Sequence, residues 1–218
     1  MEAEILQVED TEVYVVPRRR VVAENVPYEE YLTGKYGRHV EWIHGVVIAM
    51  SPINLQHDDM SRFLSVLFDV YVDLTSGGRI LREPMVMRPA RDLPARQPDV
   101  QVLLPDRLHL LQEYEVAGAA NLVVEIASPG TEDTDRGAKF REYEQGGVAE
   151  YWIVDRKRRE ALFYVPGDDG LYHSRLPVDG IYTSVALPKL KLRVDILWQD
   201  KLPSTPETVR MVEAMLKE

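Results

Sequence analysis

Residues 122–126 read Leu-Val-Val-Glu-Ile, and this string limits the fold more than any other. Four of the five side chains are bulky and apolar, a run that suits a strand buried on both faces. The exception is Glu125, in the middle, at a position where strands disfavour glutamate. An unpaired carboxylate is costly to bury. Glu125 therefore needs an Arg or Lys, a metal ion, or a shifted pKa. Helical patterns alternate with strand patterns elsewhere. The expected class is α/β, with a central sheet covered by helices.

The punctuation along the chain fills in that frame. Residues 1–26 read as an extension with an acidic start, a β-like run Val13-Tyr14-Val15-Val16, then Pro17 and three arginines. A main domain is expected over 27–200 and a C-terminal helix over 201–218. Pro27 ahead of Tyr28–Leu32 suits a short helix with proline at its first turn. Residues 39–50 read as a hairpin turning at His44-Gly45 and closed by Pro52. Met60, Phe63, Leu64, Leu67 and Tyr71 recur at spacings of three and four, which predicts a helix over 54–75 stopped by Gly77-Gly78. Strands are expected near 79–88, 99–104 and 121–127, the last bounded by Ser128-Pro129-Gly130. A polar helix over 132–145 should end at Gly146-Gly147. A second hairpin is expected from 149–155 and 159–165 around a basic turn, then short β segments from 170 to 196. Thr205 is the expected N-cap of a last helix with Val209, Val212 and Leu216 inward.

Charge and composition exclude several classes. The chain has 26 Lys and Arg against 36 Asp and Glu, a net charge of −10, so it is no basic nucleic-acid coat protein. An enzyme that gathers carboxylates around metal can still be acidic. Local basic stretches exist: six arginines lie within residues 79–107, and 156–159 read Arg-Lys-Arg-Arg. With no cysteine, disulfide scaffolds, thiol catalysis and Cys-ligated zinc drop out, and a cytoplasmic address is expected. No apolar run is longer than that of Val46–Met50, too short for a membrane span of roughly 20 residues. The acidic start is unlike a secretory or mitochondrial leader.

Two further acids share the anomaly of Glu125. Asp99 opens the strand 100–104 in Gln97-Pro98-Asp99, and Glu41 lies inside the first hairpin arm. Each alone could cap, pair or face solvent. Together they make a hard oxygen set that suits Mg²⁺ or Mn²⁺ rather than zinc. Lys139, four residues after Asp135, could orient a metal-bound water, although on spacing alone a solvated pair with Asp135 is the simpler reading. His57 by itself is a first-turn histidine of the long helix, and the basic turn 156–159 is most simply a solvated loop, with phosphate-backbone contact as its functional alternative. Glycine-rich nucleotide loops, Walker loops, His-Glu-x-x-His and Gly-x-Ser-x-Gly are all missing.

The string Leu-Val-Val-Glu-Ile-Ala-Ser-Pro-Gly-Thr, followed by Asp135-Arg136-Gly137-x-Lys139-x-x-x-Tyr143 and Gly147-Val148-x-Glu150-Tyr151-Trp152-Ile153-Val154-Asp155, resembles the Uma-type family of restriction-endonuclease-like proteins within the PD-(D/E)XK nuclease superfamily. Glu41-Trp42-Ile43-x-Gly45, Met50-Ser51-Pro52, His57 and Gln97-Pro98-Asp99 agree with it, so the match runs from about residue 27 to 200. The resemblance implies a restriction-endonuclease-like αβββαβ core with a mixed sheet. It implies Asp99 and Glu125 as metal-binding acids, Glu41 as the preceding acid and Lys139 as the catalytic lysine. In the simplest superfamily pattern the lysine follows the Glu by two residues. That position here is Ala127, and the family moves the lysine onto the next helix. Val46 departs from the acid that many relatives carry there, and His44 from the common turn Asp.

The resulting expectation is a Mg²⁺- or Mn²⁺-dependent endonuclease acting on nucleic acid, DNA first. Asp99, Glu125 and Glu41 serve the metal, Lys139 steadies charge, and His57 acts as a supporting group or proton relay. A two-fold homodimer would suit cutting both strands. The rival is a non-catalytic metal- or nucleic-acid-binding module descended from a nuclease. A hydrolase of small phosphorylated molecules is a third possibility.

Overall fold

The computed structural model describes residues 3–8, 12–17, 20–75, 77–128 and 131–217. Glu2, Glu9 and Asp10 of the acidic start, Arg18, Arg19 and the Pro129-Gly130 pair lie outside them.

A hairpin of β1 (Ala3–Val8) and β2 (Glu12–Pro17) comes first. β3 (Val21–Ala23) follows, then α1 (Tyr28–Leu32). β4 (Val40–Ile43) and β5 (Val46–Ala49) form the expected hairpin, with β3 added on the outside of β5. Its turn needs two left-handed residues, His44 at φ 45° and Gly45 at φ 90°. α2 (Leu55–Leu74) is the long helix, capped by the Asn54 side chain, which accepts from the His57 N–H at 2.9 Å.

β6 (Arg79–Arg82), β7 (Val86–Met87), β8 (Val100–Leu103), β9 (Glu115–Val116) and β10 (Leu122–Ile126) lead to α3 (Glu132–Arg136) and α4 (Ala138–Gly146). The hairpin of β11 (Glu150–Asp155) and β12 (Glu160–Pro166) comes next. β13 (Tyr172–Ser174), β14 (Ile181–Thr183), β15 (Lys191–Arg193) and α5 (Thr205–Lys217) complete the order.

The main sheet has six strands in the order β13-β12-β11-β10-β8-β6. β10 and β11 run parallel and the other neighbours antiparallel, so the sheet is mixed. The parallel pair needs a crossover, and α3–α4 supply it. Alternation along β10 divides the core. Leu122, Val124 and Ile126 pack with α2, Trp152 and Val212 of α5. Val123 faces the opposite layer with Tyr143 of α4, Tyr151 and Ile153. Glu125 shares that second face and so points at α4.

Three local expectations are corrected. The strand expected over 79–88 is two strands, because Pro84 has no N–H to give a ladder; after it the chain joins a separate parallel pair, β7 with β9. The helix expected over 132–145 breaks at Gly137, whose ψ of −91° leaves the helical region. A Cβ there would stand 2.7 Å from the Asp133 carbonyl oxygen, so the close turn requires glycine. The last helix is capped one residue earlier than Thr205. Ser204 accepts the Thr208 N–H at 2.9 Å on its carbonyl and donates its own N–H to the Glu207 carboxylate at 2.8 Å. That is the reciprocal half of a capping box. With Thr205 inside the helix, Thr208 and Val212 become the buried positions.

Glu150 ties the C-terminal β segments to the sheet. Its buried carboxylate accepts from Trp152 Nε1, Tyr182 Oη, Ser184 Oγ and the N–H groups of Val185 and Ala186, all at 2.6–2.8 Å.

Candidate active site

The antiparallel register of β10 on β8 pairs Leu122 with Val102 and Val124 with Val100. Extended by one residue, it sets Glu125 opposite Asp99. Two acids directly opposite repel, and a sheet does not choose that arrangement for stability. The ladder ends there. Asp99 Oδ2 takes the Ile126 N–H at 2.6 Å, and Asp99 Oδ1 lies 3.1 Å from His57 Nε2. His57 stands in the first turn of α2, so the long helix lends its opening turn to the acid pair.

The break at Gly137 directs α4 across the same spot. Lys139, on its second residue, reaches Glu125 Oε2 at 2.9 Å, Asp135 Oδ1 at 3.2 Å and Glu41 Oε1 at 3.6 Å. One turn later Tyr143 donates its hydroxyl to Glu125 Oε1 at 2.7 Å. Lys139 is 2% exposed, Glu125 3%, Asp99 5%, and Glu41 and His57 7%. Glu41, His57, Asp99, Glu125 and Lys139 are thus brought together from β4, α2, the start of β8, β10 and α4.

Glu41 is held differently from the other acids. A two-residue bridge between Trp42 and Ala95 locks β4 against the loop before β8. Glu41 Oε2 then accepts from Arg96 Nη1 at 2.8 Å, while Oε1 faces the Gln97 N–H and Lys139. Arg96 also forks onto Glu142 of α4 at 2.7 and 2.6 Å. Both Glu41 oxygens therefore face donors. Arg96 and Glu142 were not singled out by sequence reasoning. Arg96 belongs to the local basic stretch, yet it is 1% exposed and pairs with two carboxylates. Its signal was position, three residues before Asp99 in a stretch that must be buried to bring Asp99 inside. Glu142 had a weaker one, a helical step of three from Lys139.

Two other arginines of that stretch are also structural, while Arg79, Arg82 and Arg91 are exposed. Arg88 lies over the rings of Tyr28 and Trp42, and Arg107 donates to the carbonyls of Ala119 and Ala120. In the basic turn, Arg158 pairs with Glu132 and Asp155, and Arg156 donates to the Gln199 carbonyl.

Burial drives the charges at the site, and the network then sorts them. Burial pushes the Glu125 carboxyl well above the usual carboxylate range, Lys139 pulls it back, and Asp135 and Asp99 push it further up. Asp135 is raised by burial as well, again against Lys139. Burial opposes the Lys139 charge too, but Glu125, Asp135 and Glu41 hold it protonated well above the ordinary lysine value. Glu41 is desolvated yet falls below its ordinary value, because Lys139 and Arg96 flank it. Burial works against a charged His57, and the Asp99 carboxylate overcomes it and raises the imidazole pKa.

Five carboxylates share this volume: Glu41, Asp99, Glu125, Asp135 and Glu142. With all five ionised, Arg96, Lys139 and a protonated His57 would leave them two positive charges short. Among the described residues no three His, Cys, Asp or Glu side chains already form a metal-binding group. The donor set nonetheless fits a hard divalent cation: buried oxygen atoms, more acids than cations, and raised carboxyl pKa values that a cation would relieve.

A family model, Uma2, described as "Putative restriction endonuclease", matches residues 28–195, more than half of the chain. No protein with a curated description matches. Among solved structures, a putative nuclease belonging to DUF820 from Anabaena variabilis is similar in fold, with a TM-score of 0.59 and 18% identity over 73% of this chain and 89% of that one.

Proposed function

The chain belongs to the Uma2 family, and from that premise we propose that it is a divalent-metal-dependent endonuclease that hydrolyses phosphodiester bonds, with DNA as its polymer. One observation carries the reading. Lys139 on a helix meets Glu125 on a neighbouring strand, and Glu125 lies opposite Asp99, so a cation and two acids from three segments converge without serving the hydrophobic core. Asp99 and Glu125 would hold Mg²⁺ or Mn²⁺. When bound, such an ion polarises a phosphoryl oxygen and lowers the pKa of a coordinated water.

The remaining steps belong to the chain. Lys139 Nζ, kept protonated by its acids, orients the attacking water and balances charge developing on the phosphate. Glu41 and Asp135 position that ammonium from two sides, and we assign Glu41 this positioning role beside its support of the metal. Tyr143 fixes the rotamer of Glu125. His57 holds Asp99 and, as an imidazolium, can pass a proton to the leaving oxygen. A two-fold homodimer would bring a second copy to the opposite strand.

The near-complete burial of Lys139 among acids favours one rival, a binding module in which the network is only structural. Cleavage of supercoiled plasmid, single-stranded DNA and RNA with Mg²⁺ or Mn²⁺, beside EDTA and Glu125→Ala, separates the two. Cleavage lost in both controls supports the nuclease. Folded protein that cuts none of the three under either metal supports the module.

A further inference from the structure

The candidate site is sealed. Lys139, Glu125, Asp99, Glu41 and His57 are all buried, so no phosphodiester reaches them while every element around them stays in place. Those elements differ in how they are anchored. β4 packs through Trp42, α2 through Phe63 and Leu64, β8 through Val102, β10 through Val124 and α4 through Tyr143. α3 has no such anchor. It reads Glu-Asp-Thr-Asp-Arg, without one apolar residue. Yet its Asp135 lies 3.2 Å from Lys139 and is 1% exposed, so α3 forms one wall of the acid cluster.

What holds α3 on its outer side is charge. Arg158, in the β11–β12 turn, reaches Glu132 at 3.0 Å. Arg136 reaches Glu160 at 2.6 Å and Asp155 at 3.4 Å. The two arginine side chains are 56% and 26% exposed, and ion pairs so open to water hold weakly and are screened by salt. Both ends of α3 are turns. At one, the Ser128 carbonyl accepts the Thr131 N–H at 3.0 Å; at the other, Gly137 leaves the helical region. Asp135 Oδ2 is buried without a hydrogen-bond partner among the described residues, a cost that water relieves once α3 lifts. A segment with few apolar contacts and solvent-exposed ties opens before the core does.

We propose that α3 is a gate over the acid cluster, hinged at Gly137 and latched by Arg136 and Arg158, and that its opening admits the phosphate that is cut. The basic turn 156–159 thereby gains a task, because its Arg158 keeps the gate shut from outside. What passes the gate rests on the nuclease reading; the motion itself does not.

The test uses the full chain. Lysines are labelled with an amine-reactive ester, and each site is followed by peptide mass spectrometry. Lys139 reacts from the open state, while Lys35, with its side chain 64% exposed, reports the strength of the reagent. Arg158→Ala removes the tie to Glu132 but keeps the turn, whose Arg158 N–H still donates to Asp155 at 2.9 Å. It should speed Lys139 labelling about threefold, the worth of one exposed ion pair, with amide hydrogen exchange in β10 unchanged. Faster exchange in β10 as well would mean general loosening and would overturn the latch. The chain has no cysteine, so Glu132→Cys combined with Arg158→Cys lets a bis-methanethiosulfonate linker tie α3 shut and dithiothreitol free it. Tied, Lys139 labelling should fall about tenfold and Mg²⁺-dependent cleavage should fall with it, and reduction should restore both. Labelling that is the same tied and free overturns the gate, and cleavage in the same protein shows that the nuclease stands without it. Slower labelling with undiminished cleavage overturns α3 as the way in. Labelling that obeys the latch in a protein whose wild type cuts nothing overturns the nuclease reading and the passage of a phosphate, and leaves the motion.

Discussion

Replacing Lys139 by Met keeps the length of the side chain and removes its charge. In the folded protein that charge lies within 3.6 Å of Glu125, Asp135 and Glu41, with all four groups buried. Removing one partner from a buried ionic network costs roughly 3–5 kcal/mol, because the opposite charges remain and nothing compensates them. Lys139 has a raised folded pKa, so its contribution is whole below the ordinary lysine value of 10.5 and is lost only as pH climbs past the folded one. The lysine itself therefore adds no pH dependence between 5 and 8; the acids and His57, whose imidazole is also raised, do. Glu125 and Asp135 already have raised values with the lysine present, and they rise further without it. As pH falls through those raised values they take up protons, and the repulsion declines.

Lys139→Met should thus lose about 4 kcal/mol at pH 8 and less near pH 5. With a urea m-value of about 3 kcal/mol per molar, the midpoint falls by roughly 1.3 M at pH 8. Equilibrium urea unfolding at the two pH values, with m compared between proteins, reads this directly. An unchanged midpoint at pH 8 would show that the lysine does not neutralise these acids. An equal loss at both pH values would assign the effect to packing of the side-chain stem, and the electrostatic account of the site would be wrong.

Three more outcomes follow from the same buried contacts. Mg²⁺ should raise the melting temperature of the wild type but not of Asp99→Ala, and calorimetry in buffers of different ionisation enthalpy should show proton release, since binding ionises the raised Glu125 carboxyl. His57→Gln should cost most stability below the ordinary imidazole value of 6.5, with the gap to wild type closing as pH rises through the raised folded value; melting curves at pH 5 and 9 check the sign. Glu150→Ala strands buried donors of Trp152, Tyr182 and Ser184, and a loss of about 4 kcal/mol should lower the melting temperature by roughly 10 °C in a thermal scan.

The elements most legible in the sequence were those with strong periodicity or strong turns. α2 announces itself through Met60, Phe63, Leu64, Leu67 and Tyr71, all buried, and the β4–β5 hairpin through His44-Gly45. What failed was local. Gly137 looks like any helix-tolerated glycine until the crossover from β10 to β11 forces α4 to swing, and that swing is what carries Lys139 over Glu125. Spacing alone favoured a solvated lysine, because the partner at Asp135 is local and Glu125 and Glu41 are distant in the chain. The missing information was register: only the pairing of β10 with β8 sets Asp99 opposite Glu125. Arg96 illustrates the converse. In one dimension it is one arginine among six in a basic stretch. In the fold it bridges Glu41 and Glu142, and it thereby fixes the acid that in turn fixes the lysine. A site whose residues face one another across a sheet is written in pairings, and a single sequence shows the anomalies (an acid in an apolar strand, an acid at a strand mouth) before it shows the contacts that explain them.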